Sequence, residues 1–382
     1  MKIRLMETNA LEQAKKLADQ IFLKQPEQPS MGTSFPLIFE PGSTHSYGAF
    51  DEEGNVTAFM GLVPYTIRAE AAKIRAFSIG SVCTAPESRG KGIAGELLNQ
   101  CKAHAERSGA SLIFISGARS LYTRADCRHF GRAVEHRFNR EEAIQMESKI
   151  QTIYQVREMN PEDIFKIHEL IEKRSASYVS SVSELDKLLG ASAFSNVLRL
   201  EQKVLIAEQN GDSVAFAIIG VPGTKMTPSR PATLMEWAGD AEAAASILSQ
   251  AVTRYDLPEL IIPLAWQDRE LSTWLESAGS EGKSIRNSGT VYLVNGRELL
   301  RQIAPLIPEE ASGMLQAEGD HGPYLYKQGS ETTRLDDEGL LSLLFDPDSP
   351  YRNPQSPEGD SADQGFQLRP IPLPYTEGLQ YI

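Results

Sequence analysis

Residues 85–98 read APESRGKGIAGELL and set two cations and two glycines ahead of an apolar stripe. Arg89 and Lys91 interleave with Gly90 and Gly92; Ile93, Leu97, Leu98 and Cys101 then recur at helical spacing. Glycine costs about 1 kcal/mol against alanine inside a helix, so the pair marks the mouth of a helix. There the first-turn amides lack partners, the macrodipole adds positive charge, and glycine lets an anion approach the backbone. The plainer alternative is a connecting loop with no ligand. The preceding RAFSIGSVCT (75–84) alternates in polarity like a strand. The glycines therefore stand at a strand–turn–helix junction, where phosphate groups are held. No segment supplies the G-x-x-x-x-G-K-Ser/Thr of a P-loop, and Gly90, Gly92 and Gly95 match only the glycines of a dinucleotide fingerprint.

The longer string is more specific. Val82-Cys83-Thr84-Ala85-Pro86 followed by Arg89-Gly90-Lys91-Gly92-Ile93-Ala94 resembles motif A of the GCN5-related N-acetyltransferases, the GNAT superfamily. That motif is Arg or Gln, two free positions, Gly, one free position, then Gly or Ala; Arg89, Gly92 and Ala94 fill its fixed places. The resemblance implies that the amides of Arg89, Gly90, Lys91, Gly92, Ile93 and Ala94 hold the pyrophosphate of acetyl-CoA. It also implies that Val82, Cys83 and Thr84 bond the pantetheine arm. Tyr122, in SGARSLYTRADCRHFG (116–131), occupies the place of the tyrosine that protonates the departing thiolate in many of these enzymes. Tyr122-Thr123-Arg124 is similar to the Tyr-Gly-Arg of the enhanced intracellular survival (Eis) acetyltransferases. A phenol can supply that proton or a hydrogen bond; alternatively its ring packs and its hydroxyl meets a carbonyl. Arg119 and Arg124 either meet phosphates or stay solvated.

The surrounding elements follow the order the resemblance demands. KIRLM is a strand, Ala10 to Phe22 an amphipathic helix, and residues 46–69 a hairpin turning at Asp51 to Asn55. Strand 75–84, helix 91–107 and the strand SLIFIS (111–116) come next. Beyond residue 150 the order repeats: a strand and helix in 154–174, a hairpin about Asn210-Gly211, and strands ATLMEWAG and ELIIPLAW framing a helix from Ala241 to Tyr255. Where the second copy's helix begins, GDAEAAAS offers acid in place of glycine and cation, so this copy is expected to bind no acetyl-CoA. The reading is thus an α/β chain with mixed sheets: a catalytic GNAT domain (1–150), a degenerate second GNAT-like domain (151–288), and a small C-terminal α/β domain (289–382), sterol-carrier-like by resemblance. Within that last part, residues 347–366 read as an exposed polar loop, and QLRPIPLPYTEGLQYI as an anchored terminus.

An Eis-like chain acetylates primary amines of small cationic molecules such as aminoglycosides, with its terminal carboxylate, here that of Ile382, as a catalytic group, and often assembles as a hexamer. Polyamine-like acceptors fall within that reading; protein lysine, or acetyl-CoA binding without turnover, remains as the alternative. Candidate amine contacts are Glu236, Asp240, Asp336, Asp337 and Glu338, with Trp237 and Trp266; each also reads as solvated charge or core. A net charge of −13 disfavours nucleic acid and suits a cationic substrate. Cys83, Cys101 and Cys127 fit neither a zinc site nor a disulfide framework, as expected of reduced cytoplasmic thiols. His45, beside Tyr47, and His129 form no metal-ligand pair, so no metal is expected. No apolar run reaches membrane-spanning length.

Overall fold

The computed structural model describes residues 1–42, 45–328, 330–352 and 368–382. The chain begins with β1 (Lys2–Leu5), α1 (Thr8–Phe22), the single turns α2 (Met31–Ser34) and α3 (Pro36–Phe39), β2 (Tyr47–Phe50), β3 (Val56–Ala69) and β4 (Ala72–Thr84). It continues with α4 (Ile93–Arg107), β5 (Leu112–Ile115) and α5 (Ser120–Thr123). Then come β6 (Arg132–Phe138), α6 (Arg140–Lys149), β7 (Gln155–Glu158), α7 (Ile164–Glu172), β8 (Ala176–Tyr178), α8 (Val182–Ala191) and α9 (Ala193–Leu198). The hairpin β9 (Glu201–Gln209) and β10 (Asp212–Val221) leads to β11 (Ala232–Gly239), α10 (Ala241–Arg254), β12 (Leu260–Ala265), α11 (Arg269–Ser277) and β13 (Lys283–Arg286). Last are β14 (Thr290–Leu293), α12 (Gly296–Ile303), β15 (Leu315–Ala317), β16 (Tyr324–Gln328), β17 (Glu331–Leu335) and α13 (Asp337–Phe345).

Packing divides the chain into two compact units. One comprises Met1–Ala18, Glu40–Arg132 and Arg286–Leu373; the other comprises Asp19–Phe39, Ala133–Ile285 and Pro374–Ile382. The first unit is built on a sheet in the order β1-β2-β3-β4-β5-β14, antiparallel except for the parallel pair β4–β5. Against it α4 lays the stripe Ile93, Leu97, Leu98, Cys101 and Ala105, which meets Met60, Leu62, Phe77 and Ile79 in one core. Each such aliphatic side chain contributes about 1.5–3 kcal/mol when fully buried. The small sheet β15-β16-β17 belongs to the same unit.

The second unit repeats the plan with the order β13-β6-β12-β11-β10-β9-β7. Again a central pair, β11–β12, is parallel while its neighbours are antiparallel. Helix α10 buries nine residues between Ala243 and Val252, four of them alanine, and its apolar members pack in one core with this sheet.

This division differs from cuts at residues 150 and 288. Strand β6 pairs along its length with β12, so residues 133–150 belong with the second sheet. Strand β14 pairs with β5, which returns the chain to the first sheet. The stretch after 289 does not stand as a third unit, because its first strand completes a sheet begun far upstream. Of the expected polar loop, residues 353–366 lie outside the described residues. No described helix is long and apolar enough to cross a membrane.

Candidate functional site

The parallel pairing of β4 with β5 runs from Ala76–Leu112 to Ile79–Ile115 and stops there. Past Ile79 the strand β4 continues to Thr84, paired only on its β3 side. Between Phe59–Cys83 and Gly61–Gly80 the register slips, so that β4 carries one residue more than β3. Such a bulge bends the strand, and here it lies where β4 leaves β5. Ser81 within it has φ +51°. The result is a cleft between parting strands whose β4 wall is Val82, Cys83 and Thr84. Val82 and Thr84 are half-buried; Cys83 is buried, and burial pushes its thiol up to about 12. That thiol stays protonated and inert at neutral pH, so any contribution of Cys83 to a ligand comes from its backbone.

The chain then makes a turn of 3-10 helix, Pro86–Ser88, and reaches the two glycines. Gly90 and Gly92 have φ +75° and +76°, and a Cβ added to either would meet nothing within 4 Å. Both are left-handed positions that favour glycine, and both face open space. Gly92 is the N-cap of α4 and accepts from the amides of Gly95 and Glu96. Among the described residues, the amides of Gly90, Lys91, Gly92, Ile93 and Ala94 donate to nothing. Arg89 and Lys91 are exposed beside them, Arg89 Nε donating to the Thr84 carbonyl at 3.3 Å. A row of free donors, two cations and a cradle that a Cβ would fill suit a pyrophosphate.

Tyr122 sits on the single turn α5, 5% exposed, in the same core cluster as Ile79, Ile93 and Ile115. Its hydroxyl makes no hydrogen bond to any described residue. Burial pushes the phenol up to about 12, with Arg119 pulling the other way. At neutral pH it is therefore a protonated donor without a protein acceptor.

The sequence of residues 2–130 matches the acetyltransferase (GNAT) domain family. Residues 2–130 form a GNAT acetyltransferase domain. The fold of the whole chain is shared with solved structures of low identity. A probable N-acyltransferase of Enterococcus faecalis V583 aligns with a TM-score of 0.68 at 14% identity, covering 98% of each chain. A GCN5-related N-acetyltransferase of Kribbella flavida aligns at 0.62 and 13%, covering 100% of each. Eis1 of Mycobacterium abscessus aligns at 0.62 and 11%, covering 97% of this chain and 99% of its own. Curated proteins give no match to the sequence. The architecture is that of tandem GNAT-like sheets.

The second sheet repeats the parting of its parallel pair without the glycine turn. β11 and β12 pair only at Ala232–Leu260 and Thr233–Ile261 and then part, and β11 carries an extra residue opposite Ile218–Ile219. Asp240 follows Gly239 directly and caps α10 by accepting from the Ala243 amide at 2.8 Å. Deep in this second cleft the Arg174 guanidinium binds Glu236 and, at 3.2 Å, Asp268, which also accepts from the Trp237 indole at 3.3 Å. Desolvation pushes both carboxyls above their usual range while Arg174 opposes it. Outside this plug lies a cavity of about 880 Å³ that brings together the expected Trp237 and Asp240. Glu236 is instead held in the ion network. Asp336 caps α13 and Asp337 accepts from Tyr324, both structural roles, and Glu338 pairs with Arg128. Ile382 belongs to the other unit from Tyr122 and is 4% exposed. Its neighbour Tyr381 packs on Phe194 and Phe35 with ring centroids 4.7 and 6.4 Å away.

Arg174 drew no attention in the sequence, where it only closes the helical stretch of 154–174. Its removal should be costly. Arg174→Ala leaves two buried carboxylates without a counter-charge, a loss of about 3–5 kcal/mol. With folded pKa values above the unfolded ones, the folded state binds the extra protons, so stability is restored as pH falls and lost as it rises. Chemical unfolding at pH 5 and 7 should show the larger deficit at pH 7. Equal deficits would mean that the carboxylates are not what the arginine neutralises.

Proposed function

We propose that the protein transfers the acetyl group of acetyl-CoA to a primary amine of a small cationic molecule, by direct attack within a ternary complex. The observation that carries this reading is the paired left-handed glycines, Gly90 and Gly92, opening five undonated amides beside the parting of β4 from β5. In this reading the amides and the Arg89 and Lys91 cations hold the pyrophosphate. Backbone groups of Val82, Cys83 and Thr84 line the arm. When bound, acetyl-CoA supplies an activated acyl thioester. Tyr122 holds a proton toward the departing sulfur. A cationic acceptor is supported by the net charge of −13.

The amine must be neutral to attack, and most amines are protonated at pH 7, so a base is needed. In the proposal the Ile382 α-carboxylate takes or relays that proton; the burial of Leu379 and Ile382 supports a fixed position for it. A few residues appended after Ile382 would move the charge while sparing the Tyr381 anchor. The extended protein should bind acetyl-CoA normally and acetylate its best amine at least about 100-fold more slowly, the low end of a general-base contribution. A native rate would remove the carboxylate from the mechanism.

The overall test is coenzyme A release from acetyl-CoA with a panel of polyamines, aminoglycosides and lysine peptides. Release with small amines supports the proposal. Release with peptides alone makes the protein a lysine acetyltransferase. Binding without release for every acceptor makes it a sensor of acetyl-CoA.

A further inference from the structure

Ser81 is anomalous on two independent counts. Its backbone lies at φ +51°, where a side chain is strained and glycine is not. Its hydroxyl oxygen is shut in with no hydrogen-bond partner among the described residues, and the residue is 8% exposed. A buried, unpaired hydroxyl is itself unfavourable. Glycine at this position would relieve both penalties at once. Strain and an orphaned donor kept together at one residue point toward a ligand.

The place is specific. Ser81 lies in the bulge of β4, two residues past Ile79, whose pairing with Ile115 closes the floor of the cleft. An arm running from the open amides of Gly90–Ala94 along Thr84, Cys83 and Val82 covers about 10 Å of strand before Ser81, at roughly 3.3 Å per residue. It can go no deeper, because below Ser81 the two strands are hydrogen-bonded. The reacting end of the arm therefore comes to rest beside Ser81.

We propose that the Ser81 hydroxyl, turned about χ1, donates a hydrogen bond to the acyl carbonyl oxygen of the bound thioester, so that the site distinguishes acetyl-CoA from free coenzyme A. This rests on the acetyl-CoA reading above. No bond to Ser81 is made or broken. The carbonyl oxygen gains negative charge as the amine adds, and a donor already in place stabilises it without reorganisation. Among the described residues no protein acceptor competes for that hydrogen.

Calorimetric titration of the full-length protein with acetyl-CoA and with coenzyme A tests the assignment, on wild type, Ser81→Ala and Ser81→Gly, with thermal unfolding alongside. Both variants should bind coenzyme A as wild type does. Their ratio of acetyl-CoA to coenzyme A affinity should fall about 3- to 10-fold, the net worth of one hydrogen bond. Ser81→Gly should also unfold at a higher temperature, since it relieves the strained φ. An unchanged affinity ratio in both variants overturns the proposal. So does a parallel loss of both affinities with stability, which would make Ser81 a structural residue. If wild type binds neither compound, the acetyl-CoA reading falls and the Ser81 assignment falls with it; if wild type binds both, only the ratio decides.

Discussion

Gly92→Val should yield a folded protein that takes up acetyl-CoA at least about 100-fold more weakly than the native chain. The estimate comes from the two or three charge-assisted hydrogen bonds that a phosphate would make to this turn, each worth about 1.5–3 kcal/mol, against 1.4 kcal/mol per factor of ten. The isopropyl group would project where a Cβ meets no atom within 4 Å, so it displaces the ligand without striking the core. Forcing a β-branched residue to φ +76° adds about 1–2 kcal/mol of local strain, which the stripe from Ile93 to Ala105 should withstand. Gly92→Ala shares the strain with less bulk and should fall between. Calorimetry, with circular dichroism to confirm the fold, measures this. Native affinity in a folded Gly92→Val protein would show that acetyl-CoA does not use this loop.

Tyr122→Phe should bind acetyl-CoA as the native protein does and turn over about 10- to 1,000-fold more slowly, a span around the usual general-acid contribution. The ring stays in its cluster with Ile79, Ile93 and Ile115, so packing is preserved. The phenol near 12 lies well above a thiol near 8.5. It therefore acts first as a hydrogen-bond donor to the nascent thiolate, and its loss should fall on kcat. Because it keeps its proton until the pH approaches about 12, Tyr122 should produce no alkaline limb in the rate profile across the neutral range. Undiminished turnover would leave Tyr122 a packing residue.

Residues 75–107 were legible because local chemistry dictates them. The alternation of Phe77 and Ile79, the left-handed demands of Gly90 and Gly92 and the stripe from Ile93 to Ala105 need no distant partner to be read. The places of β6, β13 and β14 in their sheets went unread, because a strand's partner is not written in its own residues. Val134 faces Leu264 and Tyr292 faces Ile113, each across more than a hundred positions. The bulge at Ser81 is invisible for a similar reason: GSVCT alternates acceptably, and only pairing with Phe59 and Gly61 exposes the extra residue. Arg174 was not singled out because its partners lie far along the chain, Glu236 on β11 and Asp268 at the N-cap of α11.

The seating of β14 beside β5 bears on how the protein is made. A ribosome delivers β5 by residue 115, but the strand that covers its outer side emerges only with Thr290–Leu293. At roughly 5–20 residues per second that interval of about 175 residues lasts on the order of ten to thirty seconds. Throughout it the nascent first sheet carries Leu112–Ile115 as an apolar edge open to pairing with any passing chain. An expression fragment ending near residue 150 would hold that edge open permanently, and would be prone to aggregate even though every residue of the glycine turn and Tyr122 is present.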